Sequence, residues 1–208
     1  MIEGIPFASC YVYSPAGDGA ICARSRLLRT LLKQGDARFM FKYAMRVRQQ
    51  LEPAAVLAGF FLRDDVLMPV PRSAPKLGGT WAAAELAHAL VQAGVGSATW
   101  PGLQRISAVR KSATAEKGWR PSVARHYDSF RLESSNLGRG SIVLIDDVIT
   151  RGRTLLAAAA RVREAFPNTQ IRGFALLRTM GLVSEITNVL EPCRGEIRWR
   201  YGDAQRNP

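Results

Sequence analysis

Long hydrophobic runs are missing from this 208-residue chain, and none approaches the roughly 20 apolar residues that a membrane-spanning helix requires. The first residues, MIEGIPFASC, also lack the basic start and the long apolar stretch of a signal peptide. We therefore expect a cytoplasmic protein that does not associate with membranes.

Cysteine and histidine are scarce as well. Cys10, Cys22 and Cys193 are too few and too scattered for a disulfide framework, so we expect ordinary thiols. The only histidines are His88 and His126, and together with the cysteines they show no zinc-ligand spacing. The sequence thus argues against a disulfide-stapled secreted domain and against a structural zinc site.

Acidic residues are the third scarcity, because 17 Asp and Glu face 29 Lys and Arg and leave a net charge of +12. Such an excess attracts polyanions, either nucleic acids or small phosphorylated metabolites. The alternative is that the basic residues only form solvated helix faces. Composition alone leaves both interpretations open.

The N-terminal third is predicted to contain two helices. Leucines recur at helical spacing from about Arg24, and Gly35 is placed to end that helix as its C-cap. Asp36 is suited to cap a second helix, which Pro53 would stop. Both helices are expected to pack on the core or to act as a lid.

Short apolar segments alternate with helical ones in the rest of the chain, which predicts an α/β fold with a mainly parallel sheet. The polar tail DAQRNP is expected to be frayed. Helices are predicted at Thr80–Gln92 and Thr154–Phe166, and strands at Val66–Val70, Ile142–Ile145, Ile171–Leu177 and, as a weaker candidate, EIRWRY.

Two adjacent carboxylates, Asp146 and Asp147, directly follow the apolar run Ile142–Ile145. Ligands of open parallel sheets bind outside the carboxyl ends of the strands, so these charges need not be buried. The segment Thr150–Thr154 then leads into a helix, whose start offers unpaired N–H groups and a positive dipole end to a phosphate.

This order of residue types predicts a sugar-phosphate site. Gly152 lets the backbone turn closely, Thr150 and Thr154 add hydroxyl donors, and the acidic pair accepts from sugar hydroxyls. The alternative is an N-capped helix that follows a buried strand, with the acidic pair as a solvated turn. The chain has no G-x-G-x-x-G after a strand and no G-x-x-x-x-G-K-[ST], which argues against dinucleotide-binding and P-loop proteins.

The segment IVLIDDVITRGRT, Ile142 to Thr154, resembles the phosphoribosyl-pyrophosphate (PRPP) signature of type I phosphoribosyltransferases. The resemblance extends from about Arg24 to Arg178, is most specific in the signature, and points to the ComF-like subgroup, which is related to amidophosphoribosyltransferases. The segments in similar order are LLKQGD, VLMPVPRS, AAAELAHAL, a basic loop and RHYDSF.

The resemblance implies the type I phosphoribosyltransferase fold, with a mainly parallel sheet, flanking helices and a small hood from the terminal segments. Residues 1–208 would then form one domain. About 1–60 would be the N-terminal hood and helical segment, about 61–180 the core, and about 181–208 a C-terminal extension.

The resemblance also implies roles for individual residues. Asp146 and Asp147 would be the catalytic pair that binds the ribose hydroxyls, and Mg²⁺ would be held through the ligand and water rather than by the protein directly. The 5′-phosphate would lie on Thr150, Arg151, Gly152, Arg153 and Thr154. The pyrophosphate loop would contain Arg72 and Ser73, and the flap over 105–125 would contain Arg110 and Lys111.

The implied activity is transfer of the phosphoribosyl group to or from an unidentified nitrogenous acceptor, with pyrophosphate exchange. The alternative is a non-catalytic module of the same fold that senses PRPP or nucleotides or binds nucleic acid, which the ComF resemblance links to DNA handling. Arg153 stands where the signature usually has a small residue, and Arg151 where it often has Thr. Arginines at these positions either add affinity for the phosphate or block the site.

The resemblance lacks several parts of the ComF-like pattern. The residues after the pyrophosphate loop read GGTWAA instead of R-G-F-N-Q, the Asn expected near Arg125 is absent, and so are the N-terminal zinc-binding cysteines. These differences concern the acceptor side more than the PRPP signature.

Overall fold

The computed structural model describes residues 2–75, 78–109, 121–133, 140–181, 183 and 185–208. The helices are α1 (Ala20–Gln34), α2 (Ala37–Gln49), α3 (Ala82–Gln92), α4 (Val123–Asp128) and α5 (Arg153–Ala165). The strands are β1 (Gly4–Tyr13), β2 (Val66–Pro69), β3 (Ala98–Thr99), β4 (Leu103–Arg105), β5 (Phe130–Leu132), β6 (Ile142–Ile149), β7 (Ile171–Thr179), β8 (Leu190–Arg200) and β9 (Asp203–Asn207).

Seven strands form one sheet in the order β3-β2-β6-β7-β1-β8-β9. The pairs from β3 to β1 are parallel, whereas β8 runs antiparallel to β1 and β9 antiparallel to β8. The predicted α/β architecture, a mainly parallel sheet flanked by helices, is therefore confirmed. In the part of the chain that the structure describes, no helix combines the length and the apolar character needed to cross a bilayer.

Each face of the sheet carries its own hydrophobic core. Helices α1, α2 and α3 cover one face, where Leu32, Met40 and Leu86 pack against strand residues such as Ile145. Helices α4 and α5 cover the other face, where Leu156 packs with the remaining strand side chains. Because successive strand residues alternate between the faces, the central strands carry apolar residues on both faces over most of their length.

The chain changes direction between β2 and β6, which are neighbours in the sheet. From β2 the chain crosses through α3 to β3 at one edge, and from β6 it crosses through α5 to β7 in the opposite direction. Such a switch point leaves a crevice at the carboxyl ends of the two strands, and open α/β sheets bind their ligands there.

The terminal segments differ from the prediction. No strand is predicted before Val66, yet Gly4–Tyr13 pairs with β7 and β8 inside the sheet. A strand buried on both faces shows no alternation of apolar and polar residues, so its period gives no signal. The expectation of a frayed tail is wrong, because Asp203–Asn207 pairs with β8 through backbone hydrogen bonds that polar side chains do not prevent.

The predicted helix and strand boundaries hold more closely elsewhere. Asp36 caps α2 as predicted, because its side chain accepts from the Phe39 N–H at 2.8 Å. Gly35 ends α1 in the left-handed conformation, with φ of 72°. Helix α1 begins four residues before the predicted Arg24, and α2 ends at Gln49, before Pro53 is reached.

A buried ion pair joins the amino-terminal ends of β2, β6 and β7. Arg172 on β7 contacts the Oδ1 of Asp65 at 2.5 Å, and both side chains are almost fully buried. Asp65 also accepts from the Ser141 hydroxyl and, through Oδ2, from the Leu62 N–H at 2.7 Å. Arg172 donates in addition to the Phe60 carbonyl. Most of the hydrogen-bonding capacity of the pair is thus satisfied inside the protein.

Replacing Arg172 with Met is expected to lower the free energy of unfolding by roughly 3–5 kcal/mol, because the Asp65 carboxylate would remain buried without its partner. Urea denaturation followed by circular dichroism measures this loss. Arg200→Met, at an exposed position on β8, is the matched control and should change the stability little. Equal effects of the two substitutions would contradict the structural role of the pair.

Candidate functional site

The acidic doublet lies inside strand β6 rather than after its end, so the predicted strand Ile142–Ile145 is four residues too short. Pairing with β2 stops at Pro69 and Ile145, and the Val70 N–H donates to the Ile145 carbonyl at 2.8 Å. Pairing with β7 continues from Asp146 to Ile149. The doublet therefore projects into the crevice at the switch point while β7 still supports its backbone.

The carboxylates of the doublet are held by their own backbone and by one lysine. The Oδ1 of Asp146 accepts from the Asp147 N–H, and the Oδ1 of Asp147 accepts from the Val148 N–H, each at 2.8 Å. Lys33, in the last turn of α1, forms an ion pair with the Oδ2 of Asp147. Helix α1 is therefore part of the site, a role that the sequence analysis does not assign to it.

Burial and the neighbouring Asp147 raise the pKa of Asp146 from 3.8 to about 8, while Lys33 opposes this shift. The direction follows from two like charges in a partly dry crevice, where the second ionisation is costly. Near neutral pH the doublet therefore keeps a proton. A carboxyl pair in this state can both donate to and accept from sugar hydroxyls.

The predicted phosphate loop surrounds a cavity of about 90 Å³ that is lined by Asp146 and residues 148–155. Helix α5 begins at Arg153, and Gly152 at its N-cap has a φ of 83° and provides no side-chain cap. A Cβ at Gly152 would lie 2.7–2.9 Å from Ile197 on β8, so both the backbone angle and the space require glycine. The first N–H groups of α5 are thus the donors nearest this cavity that helix geometry leaves unpaired.

The two unusual arginines of the loop are engaged by the C-terminal strand. Arg153 holds the carboxylate of Asp203 with two nitrogens, its Nε at 2.5 Å, and donates to the Pro121 carbonyl at 3.2 Å. Arg151 contacts the same carboxylate at 3.2 Å. Both arginines line the cavity while β9 supplies their counter-ion.

The threonines of the loop differ in their surroundings. Thr150 is exposed and its hydroxyl lies 3.2 Å from the Thr179 hydroxyl at the end of β7. Thr154 is half-buried in the first turn of α5, and both threonines line the cavity. The structure thus brings all five predicted phosphate-loop residues together with Asp146.

The loop after β2 closes on itself. The Nη1 of Arg72 donates to the carbonyls of Gly78, Gly79 and Thr80 at 2.9, 3.1 and 3.3 Å. The Ser73 carbonyl accepts from the Val109 N–H at 2.7 Å. The residues predicted to form the pyrophosphate loop therefore organise its backbone, and they follow β2 at the same sheet edge as the doublet.

Arg105, at the end of β4, connects that loop to the doublet. Its Nε donates to the Arg72 carbonyl at 2.5 Å, and its guanidinium lies 4.2 Å from the centroid of the Phe130 ring. Burial lowers the pKa of Arg105 to about 10, and the nearby Asp146 carboxylate opposes that shift. Arg110 and Lys111, predicted for the flap, lie outside the described residues.

His126 is buried near Arg105 and Arg153. Neither ring nitrogen has a hydrogen-bond partner within the described residues. Burial lowers its pKa to about 4, and the charges of Arg105 and Arg153 add to that effect. The imidazole is therefore neutral at physiological pH.

Sequence reasoning missed Lys33, Arg105 and Asp203 as members of the site. Lys33 lies just before the predicted C-cap Gly35, where a favourable interaction with the helix dipole already accounts for a positive charge. Asp203 lies in the tail predicted to be frayed. All three reach the doublet or the loop through tertiary contacts, for which a single sequence has no local signal.

The described residues contain no group of three or more His, Cys, Asp or Glu side chains arranged to hold a metal ion. A search against models of known protein families finds no match to this chain, and a search of curated protein sequences also finds none.

Replacing Asp146 with Asn is expected to stabilise the protein near pH 7.5, and by a clearly smaller amount at pH 5. Because the pKa of Asp146 rises from 3.8 to about 8 on folding, the folded state keeps a proton that the unfolded chain loses, and wild-type stability falls as the pH rises between these values. At pH 5 the solution lies closer to the unfolded pKa of 3.8, so the wild type has lost less stability than at pH 7.5 and the variant gains less.

Thermal melts at both pH values measure this effect, since about 1 kcal/mol shifts Tm by roughly 2–4 °C in a domain of this size. Asp64→Asn removes an exposed carboxylate and is the matched control. A stabilisation of the same size at pH 5 and pH 7.5 would contradict the raised pKa.

Proposed function

We propose that this protein binds PRPP with Mg²⁺ and transfers the phosphoribosyl group to or from a nitrogenous acceptor. The observation that carries the proposal is the adjacency of a half-protonated acidic doublet and a glycine-capped helix start at the switch point of a parallel sheet, where Asp146 and the helix start line one cavity. The resemblance of Ile142–Thr154 to the type I phosphoribosyltransferase signature supports the same assignment.

In this proposal the ligand lies along β6. Its 5′-phosphate accepts from the first N–H groups of α5, with Thr150 and Thr154 as hydroxyl donors and Arg151 and Arg153 as flanking cations. The carboxyl pair of Asp146 and Asp147 binds the two ribose hydroxyls. The diphosphate at the anomeric carbon then lies toward the loop of Arg72 and Ser73, which follows the neighbouring strand β2.

The residues present fit Mg²⁺ only as an ion bound through ligand oxygens and water, because within the described residues no third His, Cys, Asp or Glu side chain joins the two carboxylates of the doublet. When bound, Mg²⁺ would neutralise charge on the diphosphate. The protein's own contribution is electrostatic. The doublet lies beside the ribose, which becomes cationic in an oxocarbenium-like transition state, while Arg72, Arg105 and Lys33 surround the position of the departing anion.

The transfer is a substitution at the anomeric carbon. The C1′–O bond to diphosphate breaks and leaves its electron pair on the diphosphate, and the lone pair of the acceptor nitrogen forms the new C1′–N bond. Any proton on that nitrogen passes to solvent or to the diphosphate. The reverse reaction consumes diphosphate and releases the nitrogen compound.

Isothermal titration calorimetry with PRPP, with and without Mg²⁺, tests the binding step. The wild type should bind, and Asp146→Asn/Asp147→Asn should lose at least about tenfold in affinity, or about 1.4 kcal/mol. Asp18→Asn/Asp64→Asn changes the same charge at two exposed positions outside the cavity lining and should bind like the wild type.

No heat of binding by the wild type would refute the proposal, and full affinity in the doublet variant would refute the assigned role of the doublet.

Release of diphosphate from PRPP in the presence of a panel of bases and amines separates an enzyme from a sensor. Release no faster than in buffer across the panel would favour the sensor.

A second candidate function, nucleic-acid binding, is favoured by the surface of the first two helices. This α1–α2 surface is formed by residues 20–49, within which Asp36 is the only acidic residue. Its exposed basic side chains are Arg24, Lys33, Arg38, Lys42, Arg46 and Arg48. A face with this charge attracts the phosphate backbone of DNA or RNA irrespective of sequence.

Neutralising Arg24, Arg38 and Lys42 with Gln is expected to weaken binding to a duplex DNA oligonucleotide and to lower the slope of log K against log salt by about 2.7, because each phosphate contact contributes about 0.9. Fluorescence anisotropy across a salt series measures both quantities. Arg63→Gln/Arg131→Gln/Arg200→Gln, at exposed positions outside α1 and α2, is the control. Equal slopes for the two variants would place the DNA contacts elsewhere.

A further inference from the structure

Lys33 reaches from the end of α1 to the doublet on β6. Its ammonium forms an ion pair with the Oδ2 of Asp147, while about half of the lysine side chain remains exposed. A lysine in the last turn of a helix needs no partner beyond the helix dipole and solvent. The contact therefore ties a cation from outside the sheet to one of the two carboxylates of the site.

The end of α1 also touches the loop that follows β2. The Thr80 hydroxyl donates to the Gln34 carbonyl at 3.2 Å, and a Cβ at Gly35 would collide with the Thr80 methyl group. The Thr80 carbonyl in turn accepts from Arg72 at 3.3 Å. Lys33 thus lies between the doublet and the loop assigned to the diphosphate.

Lys33 differs from Arg72 and Arg105, the other two cations near the loop that follows β2, in its capacity to form further hydrogen bonds. Arg72 donates to three carbonyls of its own loop, and Arg105 donates to the Arg72 carbonyl and to the Ser129 hydroxyl. The ammonium of Lys33 has three donors on a flexible stem, and the ion pair with Asp147 occupies one direction. It has both the reach and the hydrogen-bonding capacity to accept a second anion.

We infer that Lys33 transfers its ion pair from Asp147 to the anionic group at the anomeric carbon of the ligand, and that this exchange releases Asp147 to bind a ribose hydroxyl. The inference rests on the proposed function and adds a selectivity device to it. A diphosphate on the ligand forms a new ion pair with Lys33, which replaces the ion pair between Lys33 and Asp147. Ribose 5-phosphate has only a hydroxyl at the anomeric carbon. It must compete with Lys33 for Asp147 and provides no anion to pair with the Lys33 ammonium.

The test compares PRPP and ribose 5-phosphate as calorimetric ligands for the wild type and for Lys33→Met. Loss of Lys33 should weaken PRPP at least about tenfold, whereas the affinity for ribose 5-phosphate should stay the same or rise. The ratio of the two affinities therefore falls by tenfold or more. Lys33→Arg, which keeps the charge, should recover most of the PRPP affinity.

Lys42→Met removes an exposed lysine from α2 and is the control, with both affinities expected to match the wild type. Thermal melts verify that each variant is folded. Equal weakening of both ligands by Lys33→Met would show a general electrostatic or structural effect and would overturn the inference, as would no change in either. If the wild type binds neither ligand, the proposed function itself fails, and the selectivity device fails with it.

Discussion

The pairing of β6 with β7 beyond the end of β2 is the constraint on which the site depends. It holds Asp146 and Asp147 in extended backbone while one side of their strand is open. A strand that ended with β2 would leave the doublet on a loose turn. A strand paired on both sides would close the crevice beside the two carboxylates, of which Asp147 is already buried. The unequal lengths of the two neighbours resolve this conflict.

Opposite charges pair at two places in the site. Asp147 holds Lys33, and Asp203 holds Arg151 and Arg153. Such internal pairs order the side chains before a ligand arrives, which reduces the entropy that binding costs. The pairs also oppose binding, because a ligand that displaces one of them must interact with the released charge at least as favourably as the displaced partner did.

The sequence predicted the parts of this arrangement that depend on local order. The strand predicted at Val66–Val70 follows from a run of apolar residues and is found at Val66–Pro69. Asp36 as a helix cap follows from one side chain and its own backbone. Strand β1 could not be predicted because its partner β7 lies far along the chain. The tail strand β9 pairs with the neighbouring β8, but its polar side chains show no strand pattern. Lys33 and Asp203 belong to the site only because α1 and β9 pack where they do.

The carboxylate of Asp203 has a consequence for how sequences of this kind can change. A chain with small neutral residues at positions 151 and 153 would leave Asp203 uncompensated beside a loop suited to an anion. Conversely, loss of Asp203 would leave two arginines without their counter-ion and draw them toward any phosphate. We therefore expect the three positions to covary among relatives, with the acid in the last strand present where the loop carries arginines and absent where it does not.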